Sequence, residues 1–176
     1  MTGNNYTKVN PVGVDVAIQK LQNHLFSKLD WDNCEVFGRV YKLKSEKGLV
    51  PRAFIDNKDY KDVFTDDRKT STIFFVDEDK HTTKEGIKFE CDVKIVFMVD
   101  LKKAIPEITH RADMEVEQQV VELIRSRSNF KINALEKGLE IVLKEFNKEN
   151  LEKTDMQPFH VFSISGVIDY QFSCFN

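Results

Sequence analysis

A chain of 176 residues that is 41% hydrophobic and 31% charged has the apolar mass for one sizeable core and gives no reason to expect a second domain. Its 26 lysines and arginines against 29 aspartates and glutamates leave a formal net charge of -3, which excludes a broad cationic footprint for nucleic acid. No segment approaches the roughly 18 consecutive apolar residues of a spanning helix, and the opening MTGNNYTKVNP has no apolar h-region. The expectation is a soluble product without a signal peptide and without membrane partners.

Residues 1–11 are polar, with Gly3 and Pro11, and read as a flexible arm preceding a single domain over 12–176. From Val12 the pattern turns helical: Val14, Ile18, Leu21, Leu25 and Leu29 recur at three- and four-residue spacing. Residues 34–44, CEVFGRVYKLK, alternate as a strand with apolar groups on both sides. SEKG at 45–48 is a turn, and LVPRAFI is a short strand that Pro51 pushes to an edge or a bulge. Residues 56–71 carry both charge signs and few apolar groups, the texture of a surface excursion.

TIFFVD at 72–77 is a buried strand, and DEDKHTTKEG leads from it into 86–101, GIKFECDVKIVFMVDL. Here every odd position is apolar while Lys88, Glu90, Asp92 and Lys94 take even ones, the period of a strand with one buried face. At roughly 3.3 Å per residue it would reach about 50 Å, beyond what one domain needs. The two runs predict an antiparallel hairpin with a long polar tip over 78–86, centred near residue 82.

Beyond a connector with Pro106, Ala112, Val116, Val120 and Leu123 or Ile124 mark a helix that Thr109 or Asp113 can cap and that ends near Arg125 or Arg127. Leu135, Leu139, Val142 and Phe146 predict a second helix over 134–147, which Gly138 weakens. The closing HVFSISGVIDYQFSCF alternates as a strand, and Gly166 at an inward position predicts a bulge or the close approach of another backbone. The order α-β-β-β-β-α-α-β is that of an α+β domain: a mostly antiparallel sheet with a long β-hairpin and helices packed on one face.

Three cysteines without a close pair, Cys34, Cys91 and Cys174, read as reduced, buried thiols. His24, His81, His110 and His160 fall on different elements with no zinc spacing and read as surface or capping groups. Trp31, between Asp30 and Asp32, is either a core plug or an exposed anchor for a neighbour. No dinucleotide, P-loop or nucleophile-elbow motif occurs, so no cofactor is expected.

Asp92-Val93-Lys94 on the long strand resembles the D/E-x-K element of PD-(D/E)xK nucleases, in which acids on neighbouring strands hold a divalent cation beside a phosphate. Asp77 or Asp79 would be the second acid. Against that reading, no Pro-Asp precedes it, and a tip near residue 82 would set Asp77 opposite Ile87 or Lys88, far from Asp92.

The amphipathic helix VGVDVAIQKLQNHLFSKL, the hairpin of TIFFVD and GIKFECDVKIVFMVDL, the helix HRADMEVEQQVVELIRS and the terminal strand DYQFSCF together resemble the neck proteins of tailed bacteriophages, of the tail-completion or tail-terminator type. The resemblance implies a non-enzymatic virion protein, made in the host cytoplasm, forming a sixfold or twelvefold ring that joins portal to tail. Such a ring meets neighbouring portal, neck or tail proteins and passes DNA through its lumen without sequence-specific binding. Lys88, Glu90, Asp92, Lys94, Asp79, His81 and Trp31 are the subunit-interface candidates. A small non-enzymatic adaptor is the other reading.

Overall fold

The computed structural model describes residues 3–55, 59–126, 129–151 and 157–172. The chain runs through β1 (Gly3–Tyr6), α1 (Val14–Lys28), β2 (Cys34–Arg39), β3 (Tyr41–Ser45), β4 (Gly48–Ile55), β5 (Asp59–Asp62), β6 (Ser71–Glu85) and β7 (Lys88–Asp100). It continues through α2 (Leu101–Ala104), α3 (Asp113–Arg125), β8 (Phe130–Lys137), α4 (Leu139–Val142), a 3-10 turn (Glu149–Leu151) and β9 (Phe159–Gln171). The fold is α+β: a six-stranded mixed sheet in the order β1-β2-β6-β7-β9-β8 and a three-stranded antiparallel sheet β3-β4-β5.

The long hairpin is the frame. Strand β7 is continuous over 13 residues, about 43 Å at the usual rise, and pairs along its length with β9 from Lys88↔Gln171 to Asp100↔Phe159. Cys91, Val93, Ile95, Phe97 and Val99 face α1 and α3, whose Ile18, Leu21, Leu25, Val116, Val120 and Ile124 complete that core. Val96 and Met98 face the other way into a second core. There Ala53 of β4, Val63 and the α4 segment with Leu139, Val142 and Phe146 cover the sheet. The sheet is therefore buried on both faces, which corrects the expectation of helices on one face only: α1 and α3 lie on one side, α4 and the small sheet on the other.

Three further expectations are revised, and the edge expected at Pro51 is found locally. The N-terminal arm is not loose over its described part, because β1 pairs in parallel with β2. Residues 34–44 divide between two sheets: β2 pairs in parallel with β6, and β3 leaves to pair with β4. Pro51 lies on the central strand of the small sheet, yet β5 pairs only with Arg52–Ile55, so at Pro51 the strand has a neighbour on one side alone.

The last revision is the helix expected over 134–147. Phe130, Ile132 and Leu135 serve the strand β8 on the α1 and α3 side. Gly138, at φ +89, then turns the chain so that the single turn α4 delivers Leu139 and Val142 to the opposite face. Two apolar sets serving two faces imitated one helical stripe.

Trp31 is a core plug. It is 1% exposed, and its Nε1 donates to Gln119 Oε1 at 3.1 Å, tying the end of α1 to α3. It is withdrawn as an interface candidate. His24 is a capping histidine, its Nε2 lying 3.2 Å from the carbonyl of Leu123 and 3.0 Å from Ser126 Oγ at the end of α3. Helix α3 itself begins at Asp113 without a side-chain cap, so neither Thr109 nor Asp113 plays that part. No helix is long and apolar enough to cross a membrane among the described residues.

Candidate functional site

Strand β6 divides sharply. Ser71–Asp77 are buried and every residue from 78 to 85 is exposed, so β6 runs past both cores, while across the hairpin Cys91 and Tyr170 stay in the first core with Phe89 packed against it. Pairing with β2 stops at Arg39↔Phe75, and beyond Phe75 no strand among the described residues lies along that side of β6. Its backbone donors and acceptors there form an open edge. The turn is tighter than a 78–86 loop: Glu85 pairs with Lys88, and Gly86 at φ +55 takes the first of two loop positions. At the tip, Ile87 and Phe172 are 45% and 49% exposed and are joined by a backbone hydrogen bond from Phe172 N to Ile87 O. Phe172 meets Phe89 and Tyr170 edge to face, so the apolar surface left at the tip is Ile87 with the outer side of Phe172.

The interface candidates distribute unevenly over this hairpin. Lys88 is exposed and stands 4.0 Å from Glu85. Glu90 pairs with Lys84 at 2.8 Å, and Lys84 also reaches Asp169 at 2.8 Å, so this cluster is satisfied within the chain. Asp79 is exposed and meets Lys42, which also meets Glu145. Asp92 is exposed, but Lys94 is buried beneath the second core, contrary to the expectation of a solvated position. Asp77 pairs with Val93, much closer to Asp92 in register than expected. It points to the opposite face of the sheet, however, and Asp92 belongs to no metal-holding grouping among the described residues.

At the root of the projecting half, the structure gathers residues that sequence reasoning had assigned to separate elements. Between Asp77 and His81, β6 advances four residues while β7 advances two, from Val93 to Cys91. A regular strand would hold Asp77 and His81 about 13 Å apart; the bulge closes this to the span of two partner residues, about 7 Å. Asp79 at the crest adopts φ +59, with its N–H donating to Asp77 Oδ1 at 2.8 Å.

The side chains consequently converge. His81 Nε2 is 3.1 Å from Asp77 Oδ2, Cys91 Sγ donates to Asp77 Oδ1 at 3.1 Å, and Cys91 Sγ is 3.9 Å from His81 Nε2. His81 Nδ1 is 2.8 Å from the Tyr170 hydroxyl. Burial, and then the neighbouring Asp77, push the Cys91 thiol far above its ordinary range, so without a cation it is a neutral donor. Burial, with Cys91 and Asp77 nearby, likewise raises the Tyr170 phenol.

A charged chain continues from this cluster to the start of α1. Arg39 Nη1 stands 3.8 Å from Asp77 Oδ2, while Arg39 Nε and Nη2 grip Asp15 at 2.8 and 3.2 Å, and Lys8 Nζ adds a contact to Asp15 at 2.5 Å. Burial alone would raise the Asp15 carboxyl, but the hydrogen bonds and charges of Arg39 and Lys8 outweigh it and hold Asp15 below the usual range. On the adjacent strand Cys34 is buried, and its thiol is pushed up to about 11 by that burial despite a hydrogen bond from Ser71. Cys174 and Arg127 lie outside the described residues.

A second grouping joins Asp113, Glu117 and His160. Glu117 is already neutralised by Lys137 at 2.8 Å and hydrogen-bonded to His160 at 2.8 Å. It is a satisfied buried ion pair between α3, β8 and β9. Neither grouping obeyed a spacing rule. The first depends on two register shifts along the hairpin, between Thr83 and Glu85 and between Asp77 and His81, that no spacing rule marks.

No protein-family model matches this chain, and neither a curated protein nor a solved structure is significantly similar to it.

Proposed function

We propose that this chain is a structural virion protein of a bacteriophage neck or tail connector, assembling side by side into a closed ring that joins portal to tail and lets DNA pass. The observation that carries the reading is strand β6, whose residues 78–85 are exposed and whose edge beyond Phe75 has no strand partner among the described residues. A monomer gains little from an exposed outer stretch of β6 that spans about 16 Å along β7, from Lys88 to Val93, whereas a neighbour can add a strand to its edge and cover Ile87 and the outer side of Phe172. Each subunit then presents one patch to a different patch on the next, a heterologous contact that closes as a ring. A net charge of -3 agrees with a lumen that does not grip phosphate.

The experiment is native mass spectrometry with negative-stain microscopy of the purified protein at tens of micromolar. Closed rings of one defined subunit number are expected. A strictly monomeric species across that concentration range, with no ring on the grid, would overturn the proposal.

A further inference from the structure

We propose that Asp77, His81 and Cys91 form a binding site for a single divalent cation of the zinc class at the root of the hairpin. The donor set is the first reason. A thiolate sulfur, an imidazole nitrogen and a carboxylate oxygen are the ligands zinc takes, and their mixed softness disfavours calcium or magnesium, which take oxygen. The spacing is the second. Bonds of about 2.0–2.3 Å in a tetrahedron place donors about 3.3–3.8 Å from one another. Here His81 Nε2 lies 3.1 Å from Asp77 Oδ2, Cys91 Sγ lies 3.1 Å from Asp77 Oδ1 and 3.9 Å from His81 Nε2, and one donor atom from each residue falls within 4.8 Å of the other two.

Local structure is the third reason. Asp77 and His81 share a target only because β6 carries two extra residues between them, with a non-glycine residue, Asp79, at φ +59. A bulge that re-aims two side chains at a third across the hairpin is the usual device for building a site on a strand. The imidazole is also oriented for ligation: Tyr170 holds Nδ1 at 2.8 Å, leaving Nε2 toward Asp77 and Cys91. Binding releases the Cys91 thiol proton to solvent, and the resulting thiolate and carboxylate neutralise the cation. Arg39, 3.8 Å from Asp77, is engaged more closely by Asp15 at 2.8 Å and does not occupy the position between the three donors. Solvent supplies the fourth ligand, beside the partly exposed His81. The cation would clamp β6 to β7 at the point where the ribbon leaves the core, which is independent of whether the ribbon serves a ring.

The test is a titration of the chelator-treated full chain with cobalt, followed by absorption. A thiolate-to-cobalt band with intense tetrahedral d–d bands is expected, saturating at one cobalt per chain and reversed by zinc. A double variant Cys34→Ala, Cys174→Ala, with Cys91 as its single thiol, keeps the band; Cys91→Ser loses it. His81→Gln weakens affinity at least 100-fold, and Tyr170→Phe about tenfold, the size expected for a group that orients a ligand. Absence of a thiolate band in both the native chain and the single-thiol variant overturns the site, as does a band that survives in Cys91→Ser. Circular dichroism on each variant separates lost ligation from lost fold, and the single-thiol variant decides the matter if Cys91→Ser does not fold.

Discussion

The backbone oxygen of Lys131 lies where a Cβ on Gly166 would have to go, and Phe130 stands almost as close, with ring carbons 2.6 and 2.7 Å from that position. Strand β8 pairs with β9 here, Lys131 opposite Val167 and Ile132 opposite Gly166, beside a bulge between Ile132 and Ala134. Gly166→Ala must therefore displace main chain and a buried ring together, a cost of about 3 kcal/mol or more. Urea denaturation of the variant checks it. An unchanged midpoint would mean that β8 does not pair with β9 in this register.

That close approach was readable in advance because a glycine at an inward strand position leaves few explanations. The hairpin and the helices α1 and α3 were legible for a similar reason: Cys91 to Val99 and Ile18 to Leu25 repeat at periods that match one conformation only. Legibility failed where one segment serves two layers. Val96 and Met98 carried the alternation without revealing a second core, and Leu135 with Leu139 joined two faces into one false stripe. The cluster at Asp77, His81 and Cys91 was hidden for a different reason, since it depends on two residues of slippage that leave no mark on composition or period.

Trp31 is the single tryptophan of the chain and is packed between α1 and α3, so its fluorescence reports that junction alone. Native emission should be blue-shifted and move to the red in one transition as the protein unfolds. Trp31→Ala should cost about 3–5 kcal/mol through the cavity it leaves. Trp31→Phe should cost less, about 1–2 kcal/mol, chiefly by leaving the Gln119 amide oxygen without its donor. Red-shifted native emission would contradict the packing.

Shortening the hairpin separates folding from assembly. Replacing residues 84–88 by Asn-Gly joins Thr83 to Phe89, which already pair, and keeps Phe89 packed against the first core. The variant should fold with a thermal midpoint within about 5 °C of the parent, because the removed residues are mostly exposed. Light scattering should report a monomer at concentrations where the parent forms rings. Rings that persist would shift the interface elsewhere, to the edges at β8 or β5.

Acid should loosen the layer between the N-terminal strand and the sheet before it loosens the rest. Two buried carboxylates lie there, Asp15 held by Arg39 and Lys8, and Glu35 held by Lys61 at 2.8 Å and Lys69 at 2.5 Å. For Glu35, as for Asp15, burial acts upward and is outweighed by the lysine hydrogen bonds and charges, so both titrate below their unfolded values. A depressed folded value means that the stabilisation is fully present above the unfolded range, near pH 4, and is lost as pH falls through the lower folded values. Urea midpoints should accordingly hold steady from pH 7 to about 5 and fall steeply below about 4. Asp15→Asn should lower stability at pH 7 by about 2–3 kcal/mol, leaving Arg39 with a weaker partner, and should flatten the acid limb because one of the two groups no longer titrates. Glu35→Gln should flatten it further in the double variant, and the effects should add, since the two carboxylates share no cation among the described residues. An acid limb as steep in the double variant as in the parent would assign the acid sensitivity to other carboxylates.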